Sequence, residues 1–247
     1  MLIRFTQNKM ASMIKNILFD LDGTLLPMDM ERFTNGYFKL LVAKLSSYGF
    51  DGQEFIKNIW IGIKHMVMND GSRTNAEAFW DYMQKTYGER NDLARSVCES
   101  FYANEFDGGK DYCGFNKEAA RLVADAKKKG YRVILATNPI FPDVATVKRT
   151  AWAGLSVDEF EGYTTYENCS YCKPNPKYYE GVVNRFGLKY EECLMVGNDA
   201  DEDLAAESLG IKVFLLCDCL INKNNKDISK VSHGSFGDLR LLLGLDP

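Results

Sequence analysis

Two aspartates that follow a short apolar run constrain this chain more than any other feature. Residues 17–19 predict a buried strand, and Asp20 and Asp22 lie just after it. Side chains alternate along a strand, so the two acids share a face if the strand runs through both. Gly23 lets the chain bend sharply after them. Two neighbouring carboxylates repel each other unless a cation or shared proton offsets their charge. The pair therefore favours a functional site over a strand that merely ends in a polar turn.

The second half of the chain alternates between strand and helix patterns. Continuous apolar runs predict strands at 131–136, 193–196 and 212–216, with a possible short strand at 163–166. Helical periodicity is found at 116–129, 143–153, 177–186, 201–209 and 236–243. Strands of this apolar type alternating with helices predict an α/β fold with a parallel sheet covered on both faces.

Residues 29–107 have helical periodicity without an intervening strand pattern. Four helices are predicted there, around 33–45, 55–68, 75–87 and 91–102, separated by glycine-containing turns. We therefore predict a small helical bundle at 28–107, inserted into a core formed by 13–27 and 108–247. The alternative is that these are core helices of one domain. Residues 1–12 are polar and unpatterned and do not enter the fold prediction.

Polar side chains follow three of the predicted strands, where ligands bind in parallel α/β sheets. They are Asp20 and Asp22 after the first, Thr137 and Asn138 after the second, and Asn198, Asp199 and Asp203 after the strand at 193–196. Lys173 precedes that last strand, held by two prolines at the entrance of a predicted helix. Each segment alone is a weak signal, because such residues are common in turns and surface loops. Together and in this order they favour one site.

These four segments resemble the four motifs of the haloacid dehalogenase superfamily of phosphohydrolases. The segment 20–24, Asp-Leu-Asp-Gly-Thr, resembles the first motif, Thr137 the second, Lys173 the third and the segment 197–203 the fourth. The resemblance covers about residues 13–243. It implies a Rossmann-like parallel sheet core with helices on both faces and an all-α cap inserted after the first motif. The interval 28–107 has room for that cap.

The resemblance also implies an activity, that of a Mg²⁺-dependent phosphomonoester hydrolase acting on a small phosphorylated metabolite. Asp20 is the expected nucleophile, forming an aspartyl-phosphate. Asp22 is the expected general acid and base. Lys173 is expected to neutralise charge on the nucleophile and the phosphate. Thr137 and Asn138, with Lys173, are the expected phosphate-binding residues.

The expected Mg²⁺ ligands are all oxygen atoms, as this ion prefers. The resemblance implies the Asp20 carboxylate, the Asp22 backbone carbonyl and one side chain of the fourth motif. Asn198 stands where the family pattern has an aspartate directly after the glycine, so Asn198 and Asp199 are both candidates. We expect Asp199 to lie close to the metal, with Asn198 beside it. Asp203 is expected behind these groups, orienting Lys173 or a metal-bound water.

Two other functions are compatible with the same residues. A phosphomutase of the same superfamily retains both aspartates, and a non-catalytic metabolite-binding regulator could retain the fold. Lys64, His65 and Arg73 are candidate substrate contacts in the cap, although solvated surface positions are the simpler interpretation. Three aromatic residues of the predicted bundle are interpreted as its core rather than as a stacking platform; they are Trp60, Phe79 and Trp80.

Charge and composition argue against two kinds of partner, nucleic acids and membranes. The net charge of −4 gives no electrostatic basis for binding nucleic acid or an anionic membrane, and no apolar run is long enough for a membrane span. Seven cysteines and no recognisable export signal predict free thiols in a reducing cytoplasm. A zinc site is the alternative for two cysteine pairs, Cys169 with Cys172 and Cys217 with Cys219. We expect a monomer or weak homodimer.

Overall fold

A five-stranded parallel sheet forms the centre of the computed structural model, which describes residues 13–246. Its strands are β1 (Asn16–Phe19), β2 (Arg132–Leu135), β3 (Cys193–Gly197), β4 (Lys212–Leu216) and β5 (Ser232–Gly234). They lie in the order β2-β1-β3-β4-β5, and each neighbouring pair is parallel. The predicted α/β class with a parallel sheet is confirmed.

The helices lie between β1 and β2 in the chain and along the two faces of the sheet. The α-helices are α1 (Met30–Ser46), α2 (Gly52–Val67), α3 (Asn75–Tyr87), α4 (Asn91–Ala103), α5 (Lys117–Lys129), α6 (Asp143–Trp152), α7 (Pro176–Arg185) and α8 (Phe236–Leu242). Short 3₁₀ helices cover Gly88–Arg90, Glu105–Tyr112, Val157–Glu159, Tyr190–Glu192 and Asp203–Leu209.

The sheet is apolar on both faces because strand side chains alternate. In β1, Ile17 and Phe19 belong to the cluster that α5, α6 and α8 cover, whereas Leu18 belongs to the cluster covered by α7. All three side chains are fully buried. The helices on the two faces leave the carboxyl ends of the strands as the open edge of the core.

The helical insertion leaves and re-enters the core at one point. Met28 forms an antiparallel bridge with Cys113, and the N–H of Gly114 donates to the carbonyl of Pro27 at 2.7 Å. Helices α1–α4 lie between these two crossing segments, inside the interval predicted as the cap. Their apolar packing continues into the core, so the boundaries at 28 and 107 stay a prediction.

The structure differs from the expected elements in three places. The possible strand at 163–166 is reduced to a single bridge between Tyr163 and Leu135, because the chain leaves β2 after Thr164 and the Tyr166 N–H donates to the carbonyl of Phe141 at 3.1 Å. The expected helix at 201–209 is the 3₁₀ helix Asp203–Leu209. Strand β5 was not predicted, since its three residues carry no apolar pattern.

All seven cysteines are free thiols. Among residues 13–246, no three His, Cys, Asp or Glu side chains converge as a metal site, so the two cysteine pairs form no zinc cluster. In the same part of the chain, no helix is both long and apolar enough to cross a membrane.

Candidate active site

The first motif extends from the centre of the sheet. The Asp20 N–H donates to the carbonyl of Val196 in β3 at 2.8 Å, and the Ala136 N–H donates to the carbonyl of Phe19 at 2.7 Å. These bonds continue the ladders on both sides of β1 beyond its last residue. Asp20 is thereby fixed at the carboxyl edge, where its side chain is buried.

A buried lysine joins three motifs through two ion pairs. Lys173 Nζ lies 2.8 Å from Asp20 Oδ1 and 2.8 Å from Asp203 Oδ1. Burial lowers the pKa of Lys173 when it acts alone, but the two carboxylates raise this pKa well above its usual value. Burial raises the pKa of Asp20 to about 7, and Lys173 opposes that shift. The lysine therefore stays charged and favours an ionised Asp20.

Asp203 also fixes the backbone of the fourth motif. Its Oδ2 accepts hydrogen bonds from the N–H groups of Asn198 and Asp199, each at 3.0 Å. A Cβ atom on Gly197 would overlap this carboxylate, so glycine is required there. The structure places Asp203 behind Lys173 and in direct contact with it, and its role in orienting Lys173 stays a prediction.

Asn198 faces the first motif. The Thr24 hydroxyl lies 3.0 Å from Asn198 Oδ1 and 3.3 Å from Asp20 Oδ2. The Asn198 amide nitrogen donates to the carbonyl of Cys219 at 2.8 Å, which orients its oxygen towards Thr24. Gly23, with φ of +82°, passes so close that a Cβ atom there would overlap the Asn198 amide.

Asp199 is turned to its own loop instead. Its Oδ1 accepts from the N–H groups of Asp201 at 2.7 Å and Glu202 at 3.0 Å. Asp199 therefore stabilises the turn that leads into the 3₁₀ helix, whereas Asn198 lies against the first motif.

The donor atoms beside Asp20 fit a hard cation. Asp20 Oδ2 and Asn198 Oδ1 both lie within 3.3 Å of one atom, the Thr24 hydroxyl oxygen, which places both at the same side of the first motif. Both are oxygen donors, and the Asp22 backbone carbonyl is a third candidate. Oxygen sets of this kind suit Mg²⁺, whereas zinc is usually held by cysteine and histidine.

Asp22 has a partner that the sequence analysis missed. Arg149 of α6 is completely buried, and its Nη1 donates to Asp22 Oδ2. Its guanidinium lies 4.2 Å from the centroid of the Phe141 ring. Asp22 Oδ1 is buried and has no hydrogen-bond partner among the described residues. The sequence did contain a signal for this buried arginine. Arg149 lies four residues after Ala145 and three before Trp152, a spacing that places it on the core-facing side of its helix.

Asn138 connects the second motif to the third and fourth. Its Oδ1 accepts from the Lys173 N–H at 3.2 Å, and its Nδ2 donates to Glu202 Oε1 at 2.8 Å. Burial is the main cause that raises the pKa of Glu202 to about 8. Thr137 is also buried, and its carbonyl accepts from the Tyr178 hydroxyl at 2.9 Å. Glu202 is a second residue that the sequence analysis did not single out.

The polar candidates of the insertion lie away from the large cavity beside this site. His65 stacks on Tyr82 with ring centroids 4.8 Å apart, and Arg73 forms an exposed ion pair with Asp81. Neither of them, nor Lys64, lines the cavity.

The aromatic candidates line that cavity. Phe79 is buried and Trp80 partly buried in the apolar cluster, as predicted. The core prediction is wrong for Trp60, which is 52% exposed because α2 turns it towards solvent at the cavity wall.

Comparisons with known proteins identify similar sequences and similar folds. The family model of haloacid dehalogenase-like hydrolases matches residues 14–210. The chain is 26% identical over 238 residues to glyceraldehyde 3-phosphate phosphatase of Methanothermobacter thermautotrophicus, covering 89% of this chain and 96% of that protein. CbbY from Rhodobacter sphaeroides, solved in complex with phosphate, superposes with a TM-score of 0.59 at 18% identity over 94% of this chain and all of that one. A phosphatase structure from Thermococcus onnurineus gives 0.56 at 20% identity, covering 94% and 98% of the two chains.

Proposed function

The chain belongs to the haloacid dehalogenase-like hydrolases, and we propose that it is a Mg²⁺-dependent phosphatase that forms an aspartyl-phosphate on Asp20. The observation that carries this proposal is the buried lysine held 2.8 Å from both Asp20 and Asp203. A cation in that position favours a carboxylate nucleophile and offsets the charge of an incoming phosphate. The phosphatase relative named above supports the same reaction class.

Asp20 begins the reaction. Lys173 holds Oδ1, which leaves Oδ2 outside the ion pair. An Asp20 oxygen attacks phosphorus, the new O–P bond forms, and the bond between phosphorus and the alcohol oxygen breaks. The products of this half-reaction are the acyl phosphate and the alcohol, so one difficult hydrolysis becomes two easier steps.

Asp22 handles the protons in both steps. Its protonated form donates to the departing alcohol oxygen, and the resulting carboxylate then removes a proton from the water that attacks the phosphoryl group. The second attack releases inorganic phosphate and restores the Asp20 carboxylate. Asp22 Oδ1 suits this role because it is free of protein partners among residues 13–246, while Arg149 holds the other oxygen.

Asp20, the Asp22 backbone carbonyl and Asn198 would hold the Mg²⁺ ion. Bound there, the cation supplies charge neutralisation between the nucleophile and the phosphate. We assign the third ligand to Asn198 rather than Asp199, because the Asp199 Oδ1 is already occupied by two backbone N–H groups. Asparagine contributes an oxygen without a charge, so the affinity for the ion is weaker than an aspartate would give.

Thr137, Asn138 and Lys173 would surround the transferred phosphoryl group. Their positions at the carboxyl edge of β2 and before α7 support this assignment. We infer a small phosphorylated metabolite as the substrate, in a cytoplasmic setting.

Hydrolysis of p-nitrophenyl phosphate tests the proposal. We expect Mg²⁺-dependent phosphate release, abolished by chelation and by Asp20→Asn with the fold retained by circular dichroism. Asp92→Asn, an exposed position on α4, is the matched control and keeps wild-type activity. Equal turnover by Asp20→Asn and the wild type would reject the nucleophile. Transfer of phosphate between two positions of one substrate, without free phosphate, would indicate a mutase instead.

A further inference from the structure

A cavity of about 520 Å³ separates the helical insertion from the open edge of the sheet. All four helices α1–α4 contribute to it, together with the loop between β2 and α6. Much of its wall is aromatic, including Phe33, Tyr37, Trp60, Phe79, Trp80 and Phe141. Its volume suits a small organic ligand, since such sites usually measure roughly 300–1,000 Å³.

The polar tips of the aromatic wall are already paired with each other. The hydroxyls of Tyr37 and Tyr102 lie 2.7 Å apart, and Trp80 Nε1 donates to the Tyr166 hydroxyl at 3.2 Å. Burial raises the pKa of Tyr166 to about 12, in keeping with a dry environment. A ligand with many hydroxyl groups would lose water there and gain few hydrogen bonds in return.

The charges that line the cavity do not suit a second phosphate. Lys223 is the one cation among the described lining residues, and it is accompanied by the acids Glu31 and Asp199 and by Glu202, whose pKa burial raises to about 8. A bisphosphate or a phosphorylated dicarboxylate would bring extra negative charge next to these acids. Like charges at short range disfavour binding.

Two contacts link the cavity to the catalytic residues. The cavity residue Glu202 accepts a hydrogen bond from Asn138, which in turn binds the Lys173 backbone. The cavity residue Phe141 packs on Arg149, the partner of Asp22. The cavity wall is therefore connected through Asn138 to the phosphate side of the site and through Arg149 to its proton-donating side.

We propose that the cavity receives the alcohol portion of the substrate, and that this portion is an alkyl or aryl group carrying a single phosphate. This inference rests on the proposed phosphatase activity. Phosphate bound at Asp20 would leave its ester oxygen near Asp22 and its apolar body against the aromatic wall. The wall then contributes to affinity through burial of apolar surface.

A series of primary n-alkyl phosphates, from ethyl to octyl, tests the inference. Their leaving alcohols have nearly equal acidity, so differences report on binding of the chain. We expect kcat/KM to rise roughly fourfold per methylene until the cavity is full, because each buried methylene favours the bound state. Most of the change should appear in KM, as for binding that is equal in ground and transition states. A flat or falling series, with glyceraldehyde 3-phosphate or a sugar bisphosphate preferred, would overturn the inference.

Trp60→Ala and Met68→Ala form a matched pair for the same series. Both side chains are exposed apolar groups of the α2 region, but Met68 is 72% exposed and does not line the cavity. Trp60→Ala should reduce the increase per methylene, and Met68→Ala should leave it as in the wild type. An equal chain-length dependence in all three proteins would contradict the assigned wall.

The two proposals can fail separately. Mg²⁺-dependent hydrolysis of small polar phosphates without chain-length dependence would refute the apolar substrate alone. An absence of turnover on every phosphate ester would overturn both the activity and the substrate class. Binding of non-hydrolysable n-alkylphosphonates, followed by calorimetry, gives a readout besides turnover and should strengthen with chain length.

Discussion

At the scale of single residues, charge balance decides how the site is built. Lys173 is buried between two carboxylates, and Arg149 is buried against a third. Removing one partner of a buried ion pair usually costs about 3–5 kcal/mol, because the remaining charge loses its compensation. The two cations therefore compensate the charges of carboxylates that burial largely shields from water.

Arg149→Met tests whether this arginine positions Asp22. The substitution keeps the volume of the side chain but leaves both Asp22 oxygens without the guanidinium. For an n-alkyl phosphate, whose leaving group needs a proton, we expect kcat/KM, which reports the first half-reaction alone, to fall by on the order of tenfold to a hundredfold. For p-nitrophenyl phosphate, whose leaving group needs none, the fall in kcat/KM should be much smaller.

Steady-state kinetics with both substrates provide the measurement for Arg149→Met. Arg121→Met, which removes an exposed arginine from α5, is the control and should change neither rate. Equal losses on the two substrates would show that Arg149 acts on the fold rather than on the acid.

Asn198→Asp should change the stability of the fold and its affinity for Mg²⁺ in opposite directions. The aspartate would lose the donor to the Cys219 carbonyl and set two acceptors against each other. We expect a loss of about 1–3 kcal/mol in the free energy of unfolding when Mg²⁺ is chelated. Added Mg²⁺ should recover part of this loss, because the variant binds the cation more tightly.

Urea unfolding with and without Mg²⁺ measures both effects of Asn198→Asp. Asn184→Asp, on the exposed face of α7, should be close to neutral under both conditions. If Mg²⁺ stabilises the Asn198→Asp variant no more than the wild type, Asn198 is not a metal ligand.

At the scale of elements, the sheet and most helices follow from periodicity. The apolar strands at 193–196 and 212–216 are found as β3 and β4, because continuous apolar runs are diagnostic of a doubly covered parallel sheet. Strand β5 escaped prediction, since a three-residue edge strand has too few side chains for a pattern. The segment at 163–166 is the opposite case, since its pattern predicts a strand and the structure forms only the single bridge between Tyr163 and Leu135.

The order of the motifs predicts that their residues share one edge of the sheet, but not where each side chain points. Asp20, Lys173 and Asp203 lie in contact because each follows or precedes a strand at that edge, and the roles assigned to them stay predictions. The contrast between Asn198 and Asp199 depends on the Cys219 carbonyl and the turn at Asp201, which adjacent sequence does not specify. Arg149 was missed although its spacing from Ala145 and Trp152 places it on the core-facing side of α6, because that spacing does not specify which group a buried side chain meets.

Gly23→Ala tests the turn after β1 against a matched turn elsewhere. Gly23 and Gly130 both have positive φ, +82° and +100°. A Cβ atom on Gly130 would meet no atom within 4 Å, whereas one on Gly23 would overlap Asn198. Gly130→Ala should therefore cost only backbone strain, about 1–2 kcal/mol, and Gly23→Ala about 1–3 kcal/mol more.

Urea unfolding combined with phosphatase assays distinguishes the two glycine variants. Gly23→Ala should also lower activity, because Asn198 must move, and Gly130→Ala should not. Equal losses in the free energy of unfolding and equal activities of the two variants would show that the close approach of Gly23 to Asn198 matters neither for stability nor for activity.

At the scale of the whole molecule, the proposed catalytic residues and the proposed substrate cavity belong to different parts of the chain. The sheet edge brings together residues from positions 20 to 203, while the helical insertion supplies most of the adjoining cavity wall. Both chain crossings lie together, where Met28 pairs with Cys113. Substitutions among the cavity-lining residues of the insertion can therefore alter the cavity without displacing the acids and Lys173.

Trapping the phosphoenzyme tests the central claim most directly. A turnover mixture with Mg²⁺ and an alkyl phosphate, quenched in acid and digested, would be analysed by mass spectrometry for a phosphoryl group. The account predicts the label on the Asp20 side chain, and its absence in Asp20→Asn. A label on any other residue, or continued turnover by Asp20→Asn, would contradict it.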